Sequence, residues 1–484
     1  MESASHETLK EKTAKGIFWG GMSNGLQQLL NLVFGIFLGR LLSPSDYGMV
    51  GMLTIFSLIA SSLQESGFTA ALANKKEISH RHLNAVFWFS IGVSGSLYIL
   101  LFFSAPWIAG FYHTPELTAL ARYQFLGFFI SSMSTAHFAK LFHDMKVKQR
   151  TIATFTALCI SGVIGVTLAF LGFSYWGIAT QNISYILITT CFFWYFSGWR
   201  PTLQFDFGPI REMFGFSCKL LVTNIFNHIN NNVFSVILGK FFNGQTVGYY
   251  NQGNKWTTMG QNFITGMVNS VAQPVLAQVS DDKERQYRVF RRMFQFTALV
   301  SFPVMLGLSA VSQELIILLI TDKWLESAYI LCILCLGGAF LPIAQLYGQL
   351  LISRGCSTLY MGSTVALGVL QLVLMLFMYP YGIHTMLYVY VAVNILWLGV
   401  WHTLADRQVK LPSLALLLDG VQYLAAALLM LWALNQFTFL GNLYVRFAVK
   451  VLAALMLYPA LILLTPQRSV LLECIGFLFK KLKK

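Results

Sequence analysis

Apolar stretches long enough to cross a bilayer alternate with short polar turns along the whole chain. They fall near residues 16 to 40, 47 to 73, 83 to 109, 117 to 139, 150 to 172, 175 to 198, 211 to 240, 247 to 277, 290 to 312, 327 to 351, 358 to 380, 383 to 404, 412 to 436 and 442 to 465. About 20 mostly apolar residues suffice for a spanning helix, so the pattern predicts an all-α polytopic membrane protein with about 14 transmembrane helices. The connecting loops reach roughly 20 residues at most, which leaves no room for a soluble catalytic domain on either side.

Two of these segments break the apolar pattern in the same way. The first carries Asn24, Gln27, Gln28 and Asn31, and the seventh carries Asn224, Asn227, His228 and Asn231. In both, the polar positions fall at i, i+3, i+4 and i+7, one face of an α-helix. Beyond the stripes, Leu38-Gly39-Arg40 and Tyr47-Gly48 are answered by Leu238-Gly239-Lys240 and Val247-Gly248. This fixed offset predicts a duplicated chain with an N-lobe at 10–205 (helices 1 to 6) and a C-lobe at 206–405 (helices 7 to 12). Helices 13 and 14 at 406–465 and a basic tail at 466–484 follow. Six helices separate the copies, so the two lobes are expected to be related by an axis along the membrane normal, with a cavity between them.

Composition agrees with lipid as solvent. Of 484 residues, 56% are hydrophobic and 11% charged, and the mean hydropathy is +0.63. A water-soluble core cannot absorb so many apolar side chains without large exposed patches. The net charge of +14 raises the question of nucleic acid, and its distribution answers it. Counting Lys and Arg by side, 25 of 33 lie in the arm, loops and tail that share a face with the N-terminus. That is the positive-inside pattern, which places both termini in the cytoplasm and leaves no nucleic-acid surface. In the tail, Val470, Leu471, Cys474, Ile475, Leu478 and Phe479 share one helical face ahead of terminal lysines. This reads as an amphipathic helix on membrane lipids.

The candidate chemistry is sparse. Amide side chains both donate and accept, which suits the hydroxyls of a sugar, so the two stripes are read as walls of a hydrated substrate-binding cavity rather than as interhelical glue alone. Charge inside a bilayer is costly and invites a role. Lys219 and Lys255 are therefore candidate substrate-binding cations, and Glu65 is a candidate for the coupling ion. His137 and His228 read as satisfied polar residues. Cys332 and Cys335 form a CxxC inside an apolar helix with no partner pair, which reads as packing, so no metal, disulfide or cofactor is expected. No phosphate loop, His-Glu-x-x-His or hydrolase triad occurs, and no enzyme activity is expected.

Several runs together resemble a known family: GRLLSPSDYG after the first helix, YYNQGNKW opening the eighth, VAQPVLAQVSDDKERQYRVFRR, FPVMLGL, ITDKWLESAYILCIL and LLISRG. Their order and spacing are similar to the polysaccharide-exporter branch (Wzx-type and colanic-acid-exporter-like) of the multidrug/oligosaccharidyl-lipid/polysaccharide flippases. The resemblance covers about residues 10 to 360. It implies a two-lobed bundle in the bacterial inner membrane. By alternating access, such a bundle moves an undecaprenyl-diphosphate-linked oligosaccharide from the cytoplasmic to the periplasmic leaflet, for O-antigen, capsule or exopolysaccharide synthesis. A polysaccharide polymerase is an implied partner, and Arg40, Lys219, Lys240 and Lys255 are implied candidates for the diphosphate. The arginine cluster that a lipid II flippase carries early in its first two helices is missing, which points away from lipid II as substrate. The alternatives are a cation-coupled small-molecule antiporter of the same superfamily, which would need more acidic residues than Glu65 and Asp419, and a membrane enzyme acting on lipid-linked glycan, which would need a large outer loop.

The charge bias carries a direct test. In intact cells, a membrane-impermeant maleimide should label Gly441→Cys but should reach Asp281→Cys only after lysis. The reverse pattern would invert the topology.

Overall fold

The computed structural model describes residues 9–65, 68–73, 78–206, 208–439, 441–473 and 476. Among them the secondary structure is helical, with no strand. In lipid this is the expected solution, because a helix satisfies its own backbone donors and acceptors where no water can. The chain resolves into two compact units, residues 1–248 and 249–484. Nine helices or helix runs among the described residues are long and apolar enough to cross a membrane.

The first unit begins with α1 (Leu9–Leu41), α2 (Pro44–Glu65), the short α3 (Phe68–Ala73) and α4 (His80–Phe111). The expected fourth span is three helices, α5 (Leu117–Gln124), α6 (Leu126–Ser132) and α7 (Thr135–His143), broken at Phe125 and at Met133–Ser134. Then come α8 (Val147–Phe170), α9 (Tyr175–Ser197) and α10 (Gly208–Phe241). α1 lies on α8 and α8 on α9, while α10 lies on α2, α3 and α4. Packing therefore draws its boundary after α10, whereas the sequence repeat draws one before it.

The second unit holds most of α11 (Gly244–Gln278) and then α12 (Lys283–Ala310), α13 (Ser312–Ile320), α14 (Leu325–Gly338) and α15 (Leu341–Ser353). It closes with α16 (Ser357–Met378), α17 (Ile383–Val409), α18 (Ser413–Asn435) and α19 (Leu443–Leu463). The expected span at 327 to 351 is thus two helices that meet at Ala339–Phe340, where Pro342 opens α15. Helix starts are fixed locally. Asp282 accepts from the backbone N–H groups of Glu284 and Arg285 (3.0 Å each), and Asn442 does the same for Tyr444 (3.0 Å) and Val445 (3.3 Å), filling donors a helix leaves open at its first turn.

The extended link between α9 and α10 cannot satisfy its own backbone, and α4 does it instead. The buried Asn84 amide accepts from Thr202 N (2.9 Å) and donates to Gln204 O (2.5 Å), and Trp88 Nε1 donates to Thr202 O (2.7 Å). At the mouth of this strap, Arg81 pairs with Asp206, and that guanidinium together with the Gly208 N–H holds the Asp206 carboxyl below its usual range.

The 200-residue offset reappears as a reciprocal contact within the first unit. A Cβ on Gly48 would stand 1.7 Å from the Gly244 carbonyl oxygen, and a Cβ on Gly248 would stand 1.8 Å from that of Pro44. Residue 44 faces 248 and 48 faces 244, the exchange expected of a two-fold contact. Both obstacles are backbone, which has nowhere to move. Gly48→Ala and Gly248→Ala should each cost about 1 to 3 kcal/mol or more and lower the apparent Tm of the purified protein. Gly92→Ala and Gly362→Ala, which meet nothing within 4 Å, should leave it unchanged or raise it slightly. Equal Tm values for both pairs would refute the contact.

Candidate functional site

A polar side chain exposed on a membrane helix must face either lipid or water, and an amide left in lipid is costly. Exposure therefore tests the stripes. On α10, Asn224, Asn227 and Asn231 are exposed and His228 is half-buried. On α1, Gln28 and Asn31 are exposed, whereas Gln27 turns to α8 and donates from Nε2 to Thr154 Oγ1 (3.2 Å). Gln27 thus joins two helices, the role interhelical amides play without any ligand. The side chains of Asn24 and Lys219 lie outside the described residues.

Helix α11 adds an amide face that the two stripes did not announce. Asn262, Asn269 and Gln273 are exposed at i, i+7 and i+11. Asn269 donates to Gln345 Oε1 (3.3 Å) and accepts from Gln349 Nε2 (3.2 Å), both on α15. Gln345 and Gln349 are an i, i+4 pair, so one side of α15 answers one side of α11. The sequence signal was present as helical spacing, but it is interleaved with Phe263, Met267 and Val268, so no clean stripe emerges from the letters.

The charged candidates separate. Lys255 lies three turns into α11, half-buried, and among the described residues its ammonium has neither a hydrogen-bond nor an ion-pair partner. By contrast, Lys240 donates to Phe111 O (2.9 Å), lies 4.7 Å from the Phe111 ring centroid and caps the C-terminus of α4. Arg40 borders an apolar recess formed with Phe37, Val166 and Phe170. Glu65 lies in α2, where the sequence placed it, and is exposed. Asp419, the other acidic residue an ion-coupled antiporter would draw on, is saturated. It accepts from Arg291 Nε (2.6 Å) and Nη2 (3.0 Å), from Gln295 (3.0 Å) and from Gln467 (2.7 Å), tying α18 and the chain beyond α19 to α12. Arg292 pairs with Glu473 beside it, while most of the expected amphipathic tail lies outside the described residues. His137 is fully buried, stacked 4.4 Å from Trp194 and walled by Phe87 and Trp199, which removes it from any solvent path. No cluster of three or more His, Cys, Asp or Glu able to hold a metal occurs among the described residues.

The exposure difference is measurable. Asn224→Cys and Asn231→Cys should react rapidly with a small hydrophilic thiol reagent, whereas Phe234→Cys, at a position 3% exposed, should react at least about tenfold more slowly. Equal rates would return the stripe to helix packing.

Residues 37–329 match a family model described as "Polysaccharide biosynthesis protein". The teichuronic acid biosynthesis protein TuaB of Bacillus subtilis is 26% identical over 355 residues, 72% of each chain. The lipopolysaccharide biosynthesis protein WzxC of Escherichia coli is 23% identical over 353 residues, 72% of this chain and 71% of that one. Among solved structures, the lipid II flippase MurJ in an inward closed conformation superposes with a TM-score of 0.76, over 92% of this chain and 98% of that chain, at 16% identity. At that identity the likeness is one of fold.

Proposed function

The chain belongs to the polysaccharide biosynthesis protein family, and on that premise we propose that it is a flippase for a lipid-linked oligosaccharide. It is a multi-pass membrane transporter and not an enzyme. The substrate is a glycan on a polyprenyl diphosphate, carried from the cytoplasmic to the outer leaflet of the bacterial inner membrane for surface polysaccharide synthesis, with a polysaccharide polymerase as partner downstream. The observation that carries this reading is the set of exposed amide faces on membrane helices, Asn224, Asn227 and Asn231 on α10 and Asn262, Asn269 and Gln273 on α11. Amides replace the water that sugar hydroxyls give up, without the desolvation cost a charge would add.

Lys255 supplies the complementary requirement. A diphosphate entering a low-dielectric medium needs a cation beside it, and Lys255 is half-buried with no hydrogen-bond partner among the described residues. Lys219 and Glu65 remain in the proposal on sequence grounds, as a second cation and as the coupling-ion residue. The antiporter reading is weaker, because the carboxylate of Asp419 is already committed to Arg291 and two glutamines.

Deleting the gene should abolish the surface polysaccharide and leave its lipid-linked repeat on the inner leaflet, and an unchanged polysaccharide would overturn the assignment. In the deletion strain, a charge-assisted contact worth roughly 1.5 to 3 kcal/mol predicts that Lys255→Gln lowers export by one to two orders of magnitude. Lys255→Arg should largely restore it. Full export by a normally expressed Lys255→Gln protein would remove Lys255 from the site while leaving the flippase assignment standing.

A further inference from the structure

At one helix-end face of the second unit, where α12, α18 and the short α13 finish or begin, lies a cavity of about 540 Å³. Its floor is an ion triad. Glu314, 1% exposed, accepts from Lys450 Nζ (2.6 Å) through Oε1, and the Arg446 Nε stands 2.8 Å from the same oxygen. Lys450 also donates to Ala310 O (2.9 Å). Both cations therefore address one carboxylate oxygen, and the other, Oε2, is buried without a partner. Across the cavity, the His384 Nε2 lies 3.0 Å from Glu326 Oε1, and His384 Nδ1 is likewise buried and unpartnered. A neutral imidazole donating from Nε2 presents a lone pair at Nδ1.

We propose that this cavity binds a neutral pyranose unit, a second sugar subsite distinct from the amide faces. Glu314 Oε2 and His384 Nδ1 stand as unfilled acceptors and the Arg446 Nε as an unfilled donor, so the occupant has to bring donors as well as acceptors. An anion such as phosphate would bring few donors for Glu314 Oε2 and would meet the Glu326 carboxylate. A cation would compete with Lys450 and Arg446, which already neutralise Glu314. Hydroxyl groups both donate and accept, and they carry no charge. The remaining wall has the composition sugars favour. Tyr329 is exposed, its ring lies 4.8 Å from and edge-on to His384, and its hydroxyl is 3.2 Å from that of Tyr388. Gln313 and Asn435 form an exposed amide rim. The volume falls within the range of about 300 to 1,000 Å³ typical of small-ligand sites.

The assignment of this sugar as part of the exported glycan rests on the flippase reading. The cavity lies at the ends of these helices remote from the basic 283–292 segment, on the side to which the glycan is delivered in that reading. There it would hold a sugar after transfer.

Cys332 lines the cavity and reports its occupancy. Full-length protein in lipid nanodiscs is treated with iodoacetamide, and Cys332 modification is followed by peptide mass spectrometry. With a Kd on the order of 10 mM, about 100 mM glucose, galactose or N-acetylglucosamine should slow alkylation about tenfold for at least one sugar, and sodium phosphate should not. The rim variant Gln313→Ala/Asn435→Ala, which leaves the ion triad intact, should lose the protection and keep the sugar-free rate. No protection by any of the three sugars overturns the proposal. So does equal protection by phosphate, which would mark an anion site, and so does a Cys332 that never reacts, which would mark a closed cavity. Export by the deletion strain is a separate measurement, so loss of the subsite and loss of the flippase reading are distinguishable.

Discussion

Inside a bilayer every polar group needs a partner from the protein or from enclosed water, and the arrangement of this chain follows from that demand. It dictates helix throughout the described residues. It also explains the strap at the end of the first unit, where Asn84 and Trp88 take up the backbone groups of an extended link that has no helix of its own. The same demand bears on the exposed amides: Asn224, Asn227 and Asn231 would be costly to leave in lipid.

Charges obey the rule more strictly, and the exceptions become informative. Asp419 accepts four hydrogen bonds, Lys450 and Arg446 share Glu314, and Lys240 closes a helix end. Removing the partners of Asp419 or Glu314 would strand a buried carboxylate at a cost of about 3 to 5 kcal/mol, so these pairs hold helices in place. Lys255 and the second oxygen of Glu314 are among the groups that nothing among the described residues completes.

Close backbone approach is the other ingredient. The paired contacts of Gly48 with Gly244 and of Gly248 with Pro44 bring the starts of α2 and α11 within carbonyl contact, an approach that a single methyl group would prevent. Lipid supplies no hydrophobic force between helices, so small residues at such crossings do the work of association.

The sequence by itself determined the class, an all-α membrane protein of many apolar helices, and the resemblance to polysaccharide exporters. Apolar length, a fixed 200-residue offset and the asymmetry of Lys and Arg are properties of the chain read one residue at a time, and lipid enforces them without tertiary detail. Which polar residues are spoken for was decided only by packing. Gln27 and Gln28 are adjacent in the same stripe, yet one bonds α8 and the other is exposed. Asp419 and Glu65 are both lone acids in apolar surroundings on paper, yet one is locked by Arg291 and the other is exposed. Neither the ladder of Asn269, Gln345 and Gln349 nor the triad of Glu314, Arg446 and Lys450 has a local signature, because its members come from segments 76 to 136 residues apart. Helical period reveals the face a residue lies on, and only the neighbouring helix decides whether that face is filled.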